Sequence, residues 1–364
     1  MKNIGIYIHV PFCATKCPYC DFYSRPPLKG SDMLKRYTES IVKYLSVYSD
    51  NYGERPVDTV YFGGGTPSLL GADNLCEILS ACKKFFKVTE DAEITVEANP
   101  CSVNFEFFRT IKEGGFNRLS MGLQSANDDE LEFLGRKHSS EEAAEAVKSA
   151  QKAGFDNISL DLMMGLPNQT EDKLRHSIEF CASLGVQHIS SYILKIEENT
   201  VFGRKGIESL DDDETGDLYL FMVNELAKHG YNQYEISNFC KAGFMAGHNT
   251  KYWHCEEYIG IGPSAHSFID GRRFYYDRNL DKFINGTEPV QDGEGGEPEE
   301  KIMLALRLTE GITPESFGEN VFNRLKARGG KLPENLINIS DEKICLTPEG
   351  FLVSNSVILF LLDN

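Results

Sequence analysis

Two periods of apolar residues alternate along the first three quarters of the chain. Short runs rich in β-branched and aromatic residues occur at 4–10 (IGIYIHV), 57–62 (VDTVYF), 93–98 (EITVEA), 118–123 (RLSMGL), 157–163 (NISLDLM) and 188–194 (HISSYIL). Between them lie longer stretches, such as 128–155, whose apolar residues recur at three and four. Gly154, Gly185 and Gly230 stand where the left-handed C-cap of a helix is expected. Strand and helix in alternation mean βα units and a parallel sheet. Six units predict an α/β fold, a partial (βα)6 TIM-like barrel, with its chemistry at the C-terminal ends of the strands. The run at 232–239 (NQYEISNF) is a candidate seventh strand.

The pattern stops near residue 280. The Gly-, Glu- and Pro-rich stretch 287–301 (TEPVQDGEGGEPEEK) reads as a linker. The division expected is a barrel with extension over 1–280, a linker over 281–299, and a small winged-helix-like α/β module over 300–364. A chain of 364 residues with 41% hydrophobic content can bury one large core and such a satellite. The formal net charge of -18 repels a phosphate backbone, and no Lys/Arg run offsets it, so nucleic acid is not an expected partner.

The N-terminal MKNIGIYIHVPFC alternates like a strand, and its apolar run is too short for a secretory signal. No run of apolar residues is long enough to span a membrane. The final VILFLL (357–362) reads as a docked helix. Ten cysteines without an export signal point to a reducing, cytoplasmic compartment, where sulfur is thiol or metal ligand.

Three of those cysteines form the sharpest motif. Cys13, Cys17 and Cys20 lie in C-A-T-K-C-P-Y-C, directly after the first strand. The spacing fits one face of a helix, but Pro11 and Pro18 oppose that, because Pro18 would break it. A loop instead lets the sulfurs converge. Structural zinc takes four ligands, and the nearest fourth donors, His9 and Asp21, have no standard zinc spacing. Ordinary iron–sulfur clusters also take four cysteines. Three thiolates on a 4Fe–4S cube leave one iron with an exchangeable position, as a reactive site requires.

Other polar groups gather at strand ends. In Y-F-G-G-G-T-P-S (61–68), Gly64, Gly65 and Thr66 offer backbone N–H donors at close approach, although alone the run is equally a tight βα turn. Glu97, Gln124, Arg136 and Asp161 follow on later units. Each by itself is more often a satisfied structural group. Asp161 interrupts an apolar strand, and a buried carboxylate needs a partner such as a ribose hydroxyl.

The cysteine spacing, with Tyr19 before the last cysteine, resembles the radical S-adenosylmethionine superfamily. The surrounding Y-I-H-V-P-F-C-A-T-K-C-P-Y-C-D-F is similar to the branch of oxygen-independent coproporphyrinogen oxidases and HemW haem chaperones, and the likeness runs through Phe351 in LTPEGF. The resemblance implies a 4Fe–4S cluster on Cys13, Cys17 and Cys20, with S-adenosylmethionine on the open iron. It implies cofactor contacts from Gly64, Gly65, Thr66, Glu97, Gln124, Arg136 and Asp161, from Tyr7 near the sulfonium, and from Tyr19 beside the adenine. It also implies an electron donor for the cluster and allows a homodimer.

Within that branch the resemblance favours a haem carrier without coproporphyrinogen oxidase activity. The oxidases carry a further cysteine two residues after the third, where this chain has Phe22. They also extend ahead of the first strand, whereas six residues precede Tyr7 here. Finally, G-H-N-T-K-Y-W (247–253) matches the H-N-x-x-Y-W motif associated with haem binding. His248 is then the expected haem ligand, with Asn249, Tyr252 and Trp253 shaping the pocket. His254 and His266 are alternative ligands, and His9 reads as structural or cofactor-facing. The reading implies a haem-acceptor protein as partner. From spacing alone the motif is an aromatic packing patch. The competing functions are the oxidase, which decarboxylates porphyrinogen propionates by radical chemistry, and a radical enzyme on another substrate.

Overall fold

The computed structural model describes residues 2–28 and 30–363. Six βα units come first. Strands β1 (Ile4–Val10), β2 (Pro56–Gly64), β3 (Lys87–Ala98), β4 (Arg118–Gln124), β5 (Ile158–Met164) and β6 (His188–Ile193) alternate with helices. Those helices are α1 (Met33–Tyr52), α2 (Ala72–Phe85), α3 (Phe105–Gly114), α4 (Asp128–Phe133), α5 (Ser140–Lys152) and α6 (Glu171–Ser183). The expected strands thus all form, lengthened by a few residues at some ends. Gly154, Gly185 and Gly230 take positive φ, as C-cap positions require.

β1 to β6 pair in parallel and in chain order. Each strand presents alternate residues to the two faces. Ile4, Ile6, Ile8 and Val10 are fully buried in the core that includes Tyr37, Ile41 and Leu45 of α1. Tyr7 and His9 face the barrel interior instead, and the register sets Tyr7 beside Tyr61 and His9 beside Gly63. Farther along, Gly122 pairs with Asp161, and Asp161 with Ser190. Residues far apart in sequence therefore meet at one end of the sheet.

The chain then extends both edges. After α7 (Val201–Arg204) and α8 (Asp212–Lys228), the run 232–239 forms two short antiparallel strands, β7 (Asn232–Gln233) and β8 (Asn238–Cys240), instead of one. Glu235 is fully buried in the turn between them, and β8 pairs with β6. Next come α9 (Gly247–Trp253), β9 (Tyr258–Ile261), β10 (His266–Ile269), β11 (Arg272–Tyr275), α10 (Leu280–Ile284) and β12 (Val290–Glu294). β9 joins β1 in parallel, and β10 to β12 continue antiparallel. The sheet runs β12-β11-β10-β9-β1-β2-β3-β4-β5-β6-β8-β7, so its two ends do not meet and the barrel stays open.

The segment expected as a linker contains β12, whose side chains are all exposed. Backbone pairing to β11, not apolar burial, forms this strand, so its composition does not betray it. Beyond it, helices at Pro298–Ala305, Pro314–Phe317 and Glu319–Gly329 precede a hairpin of β13 (Ile337–Ile339) and β14 (Ile344–Leu346), then helices at Pro348–Leu352 and Ser354–Leu362. This part joins the β7–β8 turn through backbone bonds from Ile236 N–H to Arg307 O (3.1 Å) and from Thr309 N–H to Tyr234 O (3.0 Å). No helix among the described residues is long and apolar enough to cross a membrane.

Candidate functional site

The chain leaves the sheet at Pro11 and comes back alongside it at Arg25. Cys13 N–H donates to Arg25 O (3.1 Å), Arg25 N–H to Pro11 O (2.9 Å), and Cys20 N–H to Cys17 O (3.1 Å). With Pro18 inside it, the segment is a pinned loop and not a helix. Cys13, Cys17 and Cys20 are half-buried free thiols on one wall of a cleft of about 560 Å³. Burial pushes the Cys20 thiol up, and the charges of Cys17 and Cys13 add to that. His9 cannot complete a zinc set here. Its Nδ1 accepts from the Tyr7 hydroxyl (3.1 Å) while its Nε2 donates to Tyr23 O (3.1 Å). Burial lowers its pKa to about 4, so it is neutral and structural. Asp21 faces Arg278 at 3.6 Å.

The second wall is the turn after β2. Gly65 N–H donates to Val10 O (2.9 Å) and Thr66 N–H to Phe12 O (2.7 Å), which seats the glycine run on the root of the cysteine loop. A Cβ at Gly65 would come within 2.7 Å of Phe12 O and 2.8 Å of Val10 O, so only glycine fits. Gly64 N–H donates to Glu97 Oε2 (3.1 Å), and the Tyr61 hydroxyl to Glu97 Oε1 (2.8 Å). Burial still pushes Glu97 up to about 7. Asp161, in the middle of β5, accepts from the Ser120 hydroxyl (3.1 Å), and burial pushes it up to about 6.

Gln124 ends β4 with φ at 74°, a left-handed conformation that turns the chain away from the sheet. Arg136 follows α4. Its Nη2 donates to Gly122 O (2.7 Å) and Asn99 Oδ1 (2.6 Å), and its Nη1 reaches Cys17 Sγ at 3.6 Å. The cleft is lined by Cys13, Cys17, Tyr19, Cys20, Gly64, Gly65, Thr66, Glu97, Gln124, Arg136 and Asp161. Tyr7 does not line it. The Tyr7 ring lies deeper, 6.1 Å from that of Tyr61. The same cleft holds residues that motif reading passes over, among them Asn99, Ser120, Tyr192, Lys195 and Arg278. Asn99 carries the same signal as Glu97, a polar residue at a strand end in E-A-N-P, but it sits before a proline and reads as a turn.

The four residues expected around haem are not part of this cleft. All lie on α9, which docks near the N-terminal ends of the strands, where Glu93 accepts from Gly247 N–H (2.8 Å) and His248 N–H (3.0 Å). His248 and Tyr252, one turn apart, face the barrel. His248 is 1% exposed. Its Nδ1 is bonded to the Thr59 hydroxyl (2.8 Å), its Nε2 to the Tyr252 hydroxyl (2.9 Å), and its ring stacks 5.2 Å from Tyr61. Burial lowers its pKa to about 3. Asn249 and Trp253 are half-buried on the neighbouring face. His254 bonds Glu310, and His266 lies 4.0 Å from Asp292; both are exposed.

Residues 7–181 match the model of the radical SAM superfamily. The chain is 35% identical to the heme chaperone HemW of Bacillus subtilis, over 96% of its length and 97% of the relative's. With HemW of Mycobacterium tuberculosis H37Rv it shares 34% over 99% and 95%, and with that of Escherichia coli K12 38% over 87% and 86%. The chain belongs to the HemW family. Membership of the radical SAM superfamily implies a 4Fe–4S cluster and S-adenosylmethionine. Among solved structures, coproporphyrinogen III oxidase (HemN) of Escherichia coli superposes with a TM-score of 0.83 over 99% of this chain and 90% of that one, at 19% identity. That likeness shows a shared fold. It extends past the superfamily domain into the C-terminal part of this chain.

Proposed function

We propose that the chain is a haem carrier that holds a 4Fe–4S cluster on Cys13, Cys17 and Cys20, binds S-adenosylmethionine in the adjoining cleft, and hands haem to an acceptor protein. The observation that carries this reading is near-full-length identity of 32–38% to heme chaperones of several bacteria. The cleft supports the cofactor part. Among the described residues its thiols are these three, which suits a cluster with one open iron better than a closed all-thiolate zinc site. The cluster supplies one-electron chemistry when bound, and an electron donor would be a partner. Gly64, Gly65 and Thr66 line the cleft on the side of the amino-acid end of the nucleotide, but not as the free N–H donors expected from the sequence, because their amides already donate to Glu97, Val10 and Phe12; Asp161 and Gln124 offer polar contacts to its ribose side, and Tyr19 an aromatic face. Tyr7 would act from below, through His9 and Tyr61.

The haem part rests on α9. Ligation of iron by His248 requires the helix to leave the barrel, because both ring nitrogens are bonded inside it. His254 and His266 are open to solvent and could ligate without such movement. Haem titration followed at the Soret band tests the reading. Saturable one-to-one binding that is lost in His248→Ala supports a carrier in which α9 opens. Loss in His254→Ala or His266→Ala moves the ligand, and no saturable binding to any form ends the proposal. Conversion of coproporphyrinogen III by the anaerobically reconstituted protein would replace it with the oxidase.

A further inference from the structure

Two of the three cluster cysteines receive a polar contact from a different wall of the cleft, and one side chain joins the two contacts. Thr66 Oγ1 lies 3.4 Å from Cys13 Sγ, and Arg136 Nη1 lies 3.6 Å from Cys17 Sγ. Between Thr66 and Arg136 stands Asn99, whose Nδ2 is 3.0 Å from Thr66 Oγ1 and whose Oδ1 is 2.6 Å from Arg136 Nη2.

The direction of every bond in this chain follows from chemistry. A guanidinium can only donate, so the amide must turn its oxygen toward Arg136. Its nitrogen then faces Thr66 and donates to the hydroxyl oxygen. A sulfur that ligates iron is a thiolate and can only accept. The Thr66 hydroxyl, already accepting from Asn99, therefore places its own proton on Cys13. At the other end, Asn99 and Gly122 O hold Arg136 Nη2, which leaves Nη1 for Cys17. Thr66 is 3% exposed, so water does not readily substitute for its partners.

We propose that Asn99 is a positioning residue of the cluster site, whose amide aims the Thr66 hydroxyl at Cys13 and the Arg136 guanidinium at Cys17 and thereby raises the cluster's reduction potential. The inference rests on the reading that these cysteines hold the cluster. Donors to cluster sulfur favour the more negative, reduced state. Withdrawing them makes reduction harder. Asn99 touches no sulfur itself, so its effect must pass through Thr66 and Arg136.

The test uses the full chain, reconstituted anaerobically, with iron and sulfide counted and the midpoint followed by EPR-monitored redox titration without S-adenosylmethionine. In Asn99→Ala the cluster is expected to assemble in full. Its one-electron reduction equilibrium should fall about tenfold, a negative shift of about 59 mV. Thr66→Val should shift in the same direction, and the double variant should shift by less than the sum, since one residue acts through the other. An unchanged midpoint in Asn99→Ala, or full additivity, overturns the proposal. Should Asn99→Ala fail to hold a cluster, Asn99→Asp keeps the shape and the acceptor for Arg136, but it takes the Thr66 proton away from Cys13. Comparing Asn99→Asp in the native and Thr66→Val backgrounds subtracts the added charge, and zero coupling overturns the proposal. So does loss of the cluster from both Asn99 variants, because a tuning residue acts on a site that forms without it. If the unaltered chain assembles no iron and sulfide, the cluster reading itself fails, which is a separate result.

Discussion

Burial pushes Glu97 up to about 7, although the Tyr61 hydroxyl and the Gly64 N–H both favour its charged form. Below that value the native carboxyl keeps a proton that the unfolded chain releases near 4.5. Its contribution to stability is therefore complete below about pH 4.5 and is lost as pH rises through 7. Glu97→Gln removes the titration. Relative to that variant, the native chain should lose stability between pH 5 and pH 8 by an amount on the order of 3 kcal/mol in urea unfolding. A difference that is flat or rises with pH would contradict the buried, partly protonated carboxyl. Asp161 is expected to matter through binding. Its hydrogen bonds to a ribose would be charge-assisted, so Asp161→Asn should weaken S-adenosylmethionine binding about tenfold to a hundredfold in equilibrium dialysis, with iron content unchanged. Unchanged affinity would remove Asp161 from the site. Asp161 is legible because a carboxylate inside an apolar strand is conspicuous, and Glu97 as a carboxylate at a strand end. Asn99 is not, since an asparagine before proline is the ordinary vocabulary of turns.

Legibility changes character among the elements. The six parallel strands announce themselves because their central residues are buried on both faces, which demands short, largely apolar runs. β12 depends on backbone pairing at an exposed edge, β10 and β11 are four residues each, and β7 and β8 are two and three, too short for any period to show. The helix at 247–253 illustrates the opposite failure. Its motif marks His248 as a haem ligand, yet period and motif are silent about which face packs, and His248 lies on the buried one. Glu93 is what holds it there. The two carboxylate oxygens of Glu93 accept both leading amides of α9, and Glu93 is also the counter-ion of buried Arg118 at 3.9 Å. Glu93→Ala leaves that charge unpaired and should cost about 3–5 kcal/mol. Hydrogen exchange at Gly247 and His248 should accelerate more than exchange in β1 to β6. Uniform acceleration across the sheet would mean that α9 is not a separately docked element. Paired with the haem titration, this variant also asks whether a loosened α9 binds haem more readily.

At the scale of the whole molecule, the sheet and the cysteine loop make separate demands. The parallel strands and their helices bury a continuous core that includes Ile4, Phe62, Val96, Leu119, Ile158 and Ile189, none of which depends on a metal. The loop contributes little to that core. It is held at its root by the backbone bonds between Pro11, Cys13 and Arg25 and by the seating of Gly65 and Thr66, and its far side is solvent-facing, with Phe22 67% exposed. This differs from small metal-dependent domains, in which the ligand set substitutes for a core and the apo chain unfolds. An open barrel with a self-sufficient core can present a cluster at its rim without relying on it for folding. The expectation is that a chain with Cys13, Cys17 and Cys20 all changed to Ser keeps its far-ultraviolet circular dichroism. Its unfolding free energy in urea should stay within about 1 kcal/mol of that of the apo native chain, because substitutions outside the packed core rarely cost more. It should bind no iron, and it should lose the part of S-adenosylmethionine affinity that depends on the open iron. Collapse of the fold in this variant would show that the loop, and not the sheet, organises the upper half of the barrel, and the division between scaffold and site drawn from the burial pattern would then be wrong.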